Sequence, residues 1–167
     1  MDPIEARVRT VVAGLASARG VEYDVVDCDP ALADTAAFVE AYGYSMEASA
    51  NTIVVIGKCE PPVYGACVVL AHTQLDVNKV VRKRLGVRKA SFASADDTRR
   101  LTGMTVGGVT PFALPDNLPL WIDARVMGCD RVVLGGGSRA CKVVGPPTLL
   151  TDLPNAEVVT DLARIPE

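Results

Sequence analysis

Apolar side chains recur at helical spacing at the start of the chain. The positions that share this three- and four-residue spacing are Ile4, Val8, Val11, Val12 and Leu15. Asp2 and Pro3 precede them as an N-cap and a first helical residue, and Gly20 follows as a stop. The pattern predicts an opening helix that ends at Gly20.

Capping residues and glycines delimit further helices. Such signals run from Asp34 or Thr35 to Gly43, from Asp76 to Gly86, and from Ser94 to Gly103. Pro146 and Pro147 predict the start of a last short helix.

Runs of β-branched and apolar residues predict the strands. These runs are Tyr23–Asp27, Asn51–Ile56, Val63–Ala71, Arg88–Phe92, Leu120–Asp123, Arg131–Leu134 and Ala140–Val144. The short connection through Pro61 and Pro62 favours antiparallel pairing of the second and third runs. Helices and hairpins alternate without a regular βαβ repeat, which predicts an α+β fold, or a mixed α/β fold with a curved sheet.

Composition favours a soluble, globular chain. The 167 residues, 49% of them hydrophobic with a mean hydropathy of +0.25, predict one domain spanning 1–167 and argue against disorder. No apolar run reaches the roughly 18 residues of a membrane helix. The acidic N-terminal segment is unlike a signal peptide, so we expect a cytoplasmic protein without a membrane partner.

Charge and cysteine content narrow the possible functions. A net charge of −3 argues against wrapping long nucleic acid such as DNA, although local positive charge can hold a short end of RNA. The five cysteines form no CxxC pair, and His72 is the only histidine. We therefore expect reduced thiols and neither a metal nor another cofactor.

Two glycine-rich segments are the best candidates for ligand binding. In the segment 102–112 the pair Gly107-Gly108 is closely followed by Pro111, which gives a rigid backbone that a ligand can approach. The segment 134–138 is a similar turn. A tight turn without a ligand explains each of them as well. Asp123 ends an apolar strand between the two, where it either holds the loop shape through backbone amides or acts as a general base.

Four short motifs occur in a specific order. They are Thr102-Gly103-x-x-Val106-Gly107-Gly108-Val109-x-Pro111, Gln74-Leu75-Asp76-x-x-Lys79-Val80, Leu118-Pro119-Leu120-Trp121-Ile122-Asp123 and Gly136-Gly137-Ser138-Arg139. Over about residues 30–150 they resemble the YbaK/EbsC and prolyl-tRNA synthetase editing-domain family. Each motif is weak alone, but four with nearly ungapped spacing form a specific signal.

The resemblance implies a fold and an activity. The fold would be a mixed, barrel-like sheet flanked by helices. The activity would be trans-editing, the hydrolysis of the ester in a mischarged tRNA such as cysteinyl- or alanyl-tRNA(Pro), with the tRNA acceptor end and a synthetase as partners. Aminoacyl esters are reactive, so backbone N–H donors, a water molecule and a pocket of the right size suffice. The tRNA 2′-hydroxyl can also take part.

The resemblance also implies a set of site residues. The substrate-binding set comprises Thr35, Gly107, Gly108, Val109, Thr110, Pro111, Gly136, Gly137 and Ser138. For Thr35, helix capping is an equally good explanation.

Asn51 stands where the family commonly has a lysine. Together with Asp123 it completes the predicted catalytic residues. Three interpretations remain open: Asn51 orients the substrate through its amide, it reflects a different substrate, or it reflects lost catalysis in a binding module for an aminoacyl-adenosine end or a synthetase.

Overall fold

The structure is a computed structural model that describes all 167 residues. Its α-helices are α1 (Pro3–Arg19), α2 (Thr35–Tyr42), α3 (Arg82–Leu85), α4 (Ala95–Thr102) and α5 (Thr148–Thr151). Its strands are β1 (Asp24–Asp27), β2 (Ala50–Gly57), β3 (Val63–Leu70), β4 (Gln74–Leu75), β5 (Ala90–Phe92), β6 (Leu120–Asp123), β7 (Val132–Gly135), β8 (Cys141–Gly145), β9 (Ala156–Val159) and β10 (Ala163–Arg164). None of the helices is long and apolar enough to cross a membrane.

The strands form one large mixed sheet and two smaller sheets. The large sheet has the order β5-β2-β3-β6-β9, in which β2 runs antiparallel to β5 and β3 while β6 runs parallel to β3 and β9. β1-β8-β7 and β10-β4 are antiparallel. A single bridge between Ser49 and Val133 joins the edge of β2 to β7. The α+β prediction is confirmed; the barrel-like sheet implied by the resemblance is three sheets, none of which closes.

Local signals in the sequence set the helix ends. The Asp2 carboxylate accepts a hydrogen bond from the Ile4 N–H at 2.7 Å, which satisfies a free donor of the first turn. Gly20, Gly43 and Gly103 end α1, α2 and α4 in the left-handed conformation. The predicted helix from Asp76 to Gly86 is not a single α-helix, because residues 77–81 form a π-helical turn before α3.

Three strands, β4, β9 and β10, were not predicted from the sequence. β4 and β10 have two residues each and pair only with one another, across more than half of the chain. β9 has two exposed central residues and no clean alternation. Their pairing depends on distant partners, so the local pattern carries little signal.

The core lies on both faces of the large sheet. Val68 on β3 belongs to the larger apolar cluster, which also holds Val8 and Val12 of α1. The next residue, Val69, belongs to a second cluster around Trp121. A strand buried on both faces reads as a continuous apolar run, which is why β3 was evident from sequence. β3 therefore holds β2 in a fixed position.

Candidate functional site

The edge of β2 is open between β5 and β7. β5 pairs with β2 only at Val55–Gly57, and the next strand that reaches this edge is β7, at the Ser49–Val133 bridge. The Val54 carbonyl accepts a hydrogen bond from the Ala93 N–H on the same edge. Alternate residues of an antiparallel strand direct both backbone polar groups to the same side. The N–H and C=O of Thr52 therefore point into the opening.

A cavity of about 370 Å³ occupies this opening. Its floor is residues 50–54 of β2, and its walls come from α2, α4, the first glycine loop, β7 and β8. This volume lies within the range of small-molecule sites. A second cavity, of about 450 Å³, lies beside α1 and is lined by Arg7, whose guanidinium donates to the Ala113 carbonyl. Of these two cavities we take the first as the candidate site, because Asn51, Thr52 and Lys142 all line it.

Thr35 and Asn51 meet in this cavity. The Thr35 hydroxyl donates to the Asn51 side-chain oxygen at 2.6 Å. Thr35 is the first residue of α2 and Asn51 lies on β2, so this bond joins the helix to the floor. The Asn51 amide NH₂ keeps two donors for a ligand.

A buried lysine from β8 also lines the cavity. Lys142 is only 6% exposed, and it forms no ion pair in the structure. Its ammonium donates to the Ala33 carbonyl at 2.7 Å and to the Gly107 carbonyl at 3.0 Å. Burial lowers the pKa of Lys142 below its ordinary value. An ammonium has three donors, so one remains for a ligand.

Thr52 contributes an unsatisfied hydroxyl. The residue is 9% exposed and lines the cavity, and its Oγ1 has no hydrogen-bond partner. A buried hydroxyl without a partner costs about 1–3 kcal/mol, so such groups are rare outside functional sites. A ligand carbonyl in the cavity would satisfy it.

The two glycine segments pack against each other, as predicted. The Gly137 N–H donates to the Gly108 carbonyl at 2.9 Å, and a Cβ on Gly108 would lie 2.6 Å from the Ser138 carbonyl carbon. The Arg139 guanidinium extends this contact by donating to the Val106 carbonyl at 2.8 Å and to the Asp34 carboxylate at 3.1 Å. The loop is therefore held to the entry of α2.

Comparison with known proteins identifies the family. The family model of the aminoacyl-tRNA editing domain matches residues 29–153. The chain belongs to this family.

Solved structures share the editing-domain fold. A candidate trans-editing enzyme for prolyl-tRNA synthetase superposes with a TM-score of 0.79 at 21% identity, covering 98% of both chains. A hypothetical protein superposes with a TM-score of 0.77 at 25% identity, covering 92% of this chain and 99% of its own. A scaffold from computational epitope grafting gives 0.78 at 21% identity, covering 98% and 99%.

Some of the site residues predicted from sequence line the cavity, and others lie away from it. Those that line it are Thr35, Asn51, Gly107 and Val109. Those that do not are Gly108, Thr110, Pro111, Asp123, Gly136, Gly137 and Ser138. Of the second glycine segment, Leu134 and Gly135 reach the cavity, whereas the predicted residues from Gly136 to Ser138 do not.

The residues away from the cavity shape the loops. Thr110 is fully buried, and its hydroxyl accepts from the Phe112 N–H to begin the turn at Pro111. The Ser138 hydroxyl donates to Glu5 of α1 and accepts from the Ala140 N–H. These side chains are committed to the fold.

Asp123 lies outside the cavity, which does not support the predicted catalytic role. It ends β6 with a fully buried side chain, 3.5 Å from the Arg125 guanidinium. Burial raises the pKa of its carboxyl, and Arg125 partly opposes that shift. Arg125 also donates to the Ala163 carbonyl at 2.7 Å, so the pair ties β6 to β10.

Burial raises the pKa of four cysteine thiols and so suppresses thiolate formation at Cys28, Cys67, Cys129 and Cys141. All five are free, and burial raises the pKa of Cys67 to about 12 and that of Cys141 to about 11. No group of three or more histidine, cysteine or acidic side chains is placed to hold a metal ion.

Proposed function

We propose that this editing domain is a trans-editing deacylase that hydrolyses the ester of a mischarged tRNA, with cysteinyl- or alanyl-tRNA(Pro) as the substrate class. The observation that carries the proposal is the convergence of Asn51, Thr52 and Lys142 in one cavity of a chain from the editing family. The resemblance to a candidate trans-editing enzyme for prolyl-tRNA synthetase supports the choice of tRNA. We expect the enzyme to work in the cytoplasm, where charged tRNA is used.

The cavity supplies donors for the ester carbonyl. The Thr52 N–H points into the opening, and its hydroxyl lacks a partner. In the proposed mechanism the N–H and the hydroxyl of Thr52 both donate to the carbonyl oxygen as negative charge develops on it. The Lys142 ammonium, which has one free donor, places a positive charge nearby. Preorganised donors of this kind typically contribute about 10²–10³-fold each.

The chemical step requires only water. A water molecule attacks the ester carbonyl carbon, the bond between that carbon and the ribose oxygen breaks, and a proton from the water passes to the ribose oxygen. The products are the free amino acid and tRNA with its terminal hydroxyl restored. The neighbouring ribose hydroxyl can relay the proton, so no protein general base is needed. The Asn51 amide orients the aminoacyl group.

A panel of mischarged tRNAs tests the proposal. The purified protein is incubated with alanyl-, cysteinyl- and other misacylated tRNA(Pro) and with the correctly charged prolyl form, and the loss of ester is followed. We expect accelerated loss with one or more small amino acids and little with proline. Hydrolysis at the uncatalysed rate with every member of the panel would refute the proposal.

A second candidate function is a non-catalytic binding module for an aminoacyl-adenosine end or a synthetase. Asn51 favours it, because an amide replaces the lysine that related chains commonly carry. Substrate-dependent turnover that falls in Asn51→Ala would exclude this candidate. Saturable binding of a non-hydrolysable aminoacyl-adenosine without turnover of the natural ester would establish it.

A further inference from the structure

An exposed aromatic ring stands between the candidate site and a second groove. Phe92, at the end of the edge strand β5, is 56% exposed. It lines both the 370 Å³ cavity and a neighbouring groove of about 260 Å³. Val106, 60% exposed, also lines the first cavity. Single exposed apolar residues are common, but this ring is shared by two concave surfaces.

The neighbouring groove carries two cations that no acid neutralises. Lys79 comes from the π-helical turn and Arg164 from β10, and both are exposed and line the groove. Neither forms an ion pair, whereas Arg84 on α3 binds Glu157 at 2.6 Å. The one acid in the groove, Asp76, accepts a hydrogen bond from the Lys79 backbone N–H. Lys79 and Arg164 therefore present two positive charges without an acidic partner in one groove.

This arrangement has the properties of a single-stranded RNA site. Unpaired RNA is bound by aromatic rings that stack on exposed bases and by cations that contact the adjoining phosphates. Both cations line the groove, and Phe92 lines the groove and the cavity, so a strand in the groove can reach the cavity past the ring. The net charge of −3 makes such a local site necessary, because the overall field repels RNA.

We propose that Phe92 and the groove of Lys79 and Arg164 bind the unpaired 3′ end of an RNA. A base of the end stacks on the Phe92 ring, and phosphates of the preceding nucleotides contact the two cations. The terminal ribose and its ester then lie in the 370 Å³ cavity. The placement of the ester in the cavity rests on the proposed function. Binding of the RNA strand is measured with uncharged RNA and does not depend on that function.

Binding of an uncharged RNA oligonucleotide that ends in CCA tests the subsite directly. Fluorescence anisotropy compares the wild type with Phe92→Ala, Phe92→Trp and the double variant Lys79→Gln/Arg164→Gln. We expect Phe92→Ala to weaken binding about tenfold and Phe92→Trp to keep it. The double variant should lower the salt dependence of binding by about 1.4 in log–log slope, for two phosphate contacts. Lys83→Gln, an exposed cation outside the groove, is the matched control.

The outcomes separate this proposal from the proposed function. Equal affinity of Phe92→Ala and wild type, equal losses in Phe92→Ala and Phe92→Trp, or no RNA binding at all would overturn the subsite. RNA binding that depends on Phe92, in a protein that deacylates no mischarged tRNA, would support the subsite and refute the deacylase. If deacylation occurs, Phe92→Ala should raise KM for charged tRNA, whereas the control Lys83→Gln should leave it unchanged.

Discussion

At the scale of single residues, Lys142 is the main candidate site residue that the structure reveals and the sequence analysis did not identify. Asn51 and Thr35 were identified from sequence, and the structure places them in contact. Lys142 was not identified, because it lies in a short strand where a lysine normally faces solvent. Its burial depends on Ala33 and Gly107, which are distant in the chain and supply the carbonyls that hold the ammonium. Local patterns do not contain that information.

Lys142→Met is expected to lower kcat for a mischarged tRNA by about 10²-fold, because it removes the positive charge beside the ester carbonyl. Methionine keeps the length of the chain, so the cavity wall is retained. Single-turnover deacylation with saturating enzyme measures the effect. An unchanged kcat with a correctly folded variant would contradict a catalytic role for the ammonium.

The pH dependence of stability is an independent readout for Lys142. Burial lowers the folded-state pKa of this ammonium below its unfolded value of 10.5. Between the two values the unfolded chain binds more protons, so the free energy of unfolding of the wild type rises with pH relative to Lys142→Met. The rise is at most about 1.4 kcal/mol per pH unit. Urea unfolding of both proteins from pH 7 to 10 would show no such divergence if Lys142 titrated normally.

At the scale of elements, the open edge of β2 produces the site. β2 and β3 were predicted as an antiparallel pair, and the structure confirms it over residues 50–57 and 63–70. The sequence did not indicate where β5 stops pairing or that β7 approaches the same edge. Those limits come from the placement of two other elements, so the cavity was not predictable even though its floor was.

Thr52→Val separates function from stability at this edge. The substitution keeps the shape and removes an unpartnered buried hydroxyl, so we expect the free energy of unfolding to stay equal or rise by up to about 1 kcal/mol. Deacylation should fall by about 10²-fold, because one donor to the carbonyl is lost. Urea unfolding and single-turnover assays measure the two effects.

Thr102→Val is the matched control for Thr52. The Thr102 hydroxyl is also buried, but it donates to the Thr98 carbonyl at 2.6 Å and accepts from the Met104 N–H at 3.1 Å. Its loss should destabilise the protein by about 1–2 kcal/mol. A Thr52→Val protein that is destabilised as much as Thr102→Val would show that the Thr52 hydroxyl has a structural partner.

The contact between the two glycine loops gives a second element-scale prediction. Gly108→Ala places a Cβ 2.6 Å from the Ser138 backbone and should cost about 1–3 kcal/mol of unfolding free energy. Gly14→Ala in α1 meets nothing within 4 Å and should stabilise by up to about 1 kcal/mol. Thermal and urea unfolding compare the pair. Equal effects of the two substitutions would contradict close packing of the loops.

At the scale of the whole molecule, the fold class and the family were accessible from sequence, whereas the composition of the site was only partly so. Helix caps and apolar runs act locally, and the ordered motifs mark the loops. The wall of the cavity is assembled from α2, α4, β7 and β8, which meet only after folding. Gly108 packs against the Ser138 backbone and Gly137 against Ile4 and Val8 of α1, and neither residue lines the cavity.

The opening beside Thr52 has a consequence for how such a protein tolerates change during evolution. One of the proposed donors is the Thr52 main-chain amide, which no codon substitution other than one to proline can delete. Side chains along residues 50–54 can then be exchanged, as at Asn51, while that donor is inherited with the strand itself. For the proposed deacylase, substrate preference would then change through the side chains of the floor, while the main-chain donor persists as long as the edge of β2 stays uncovered.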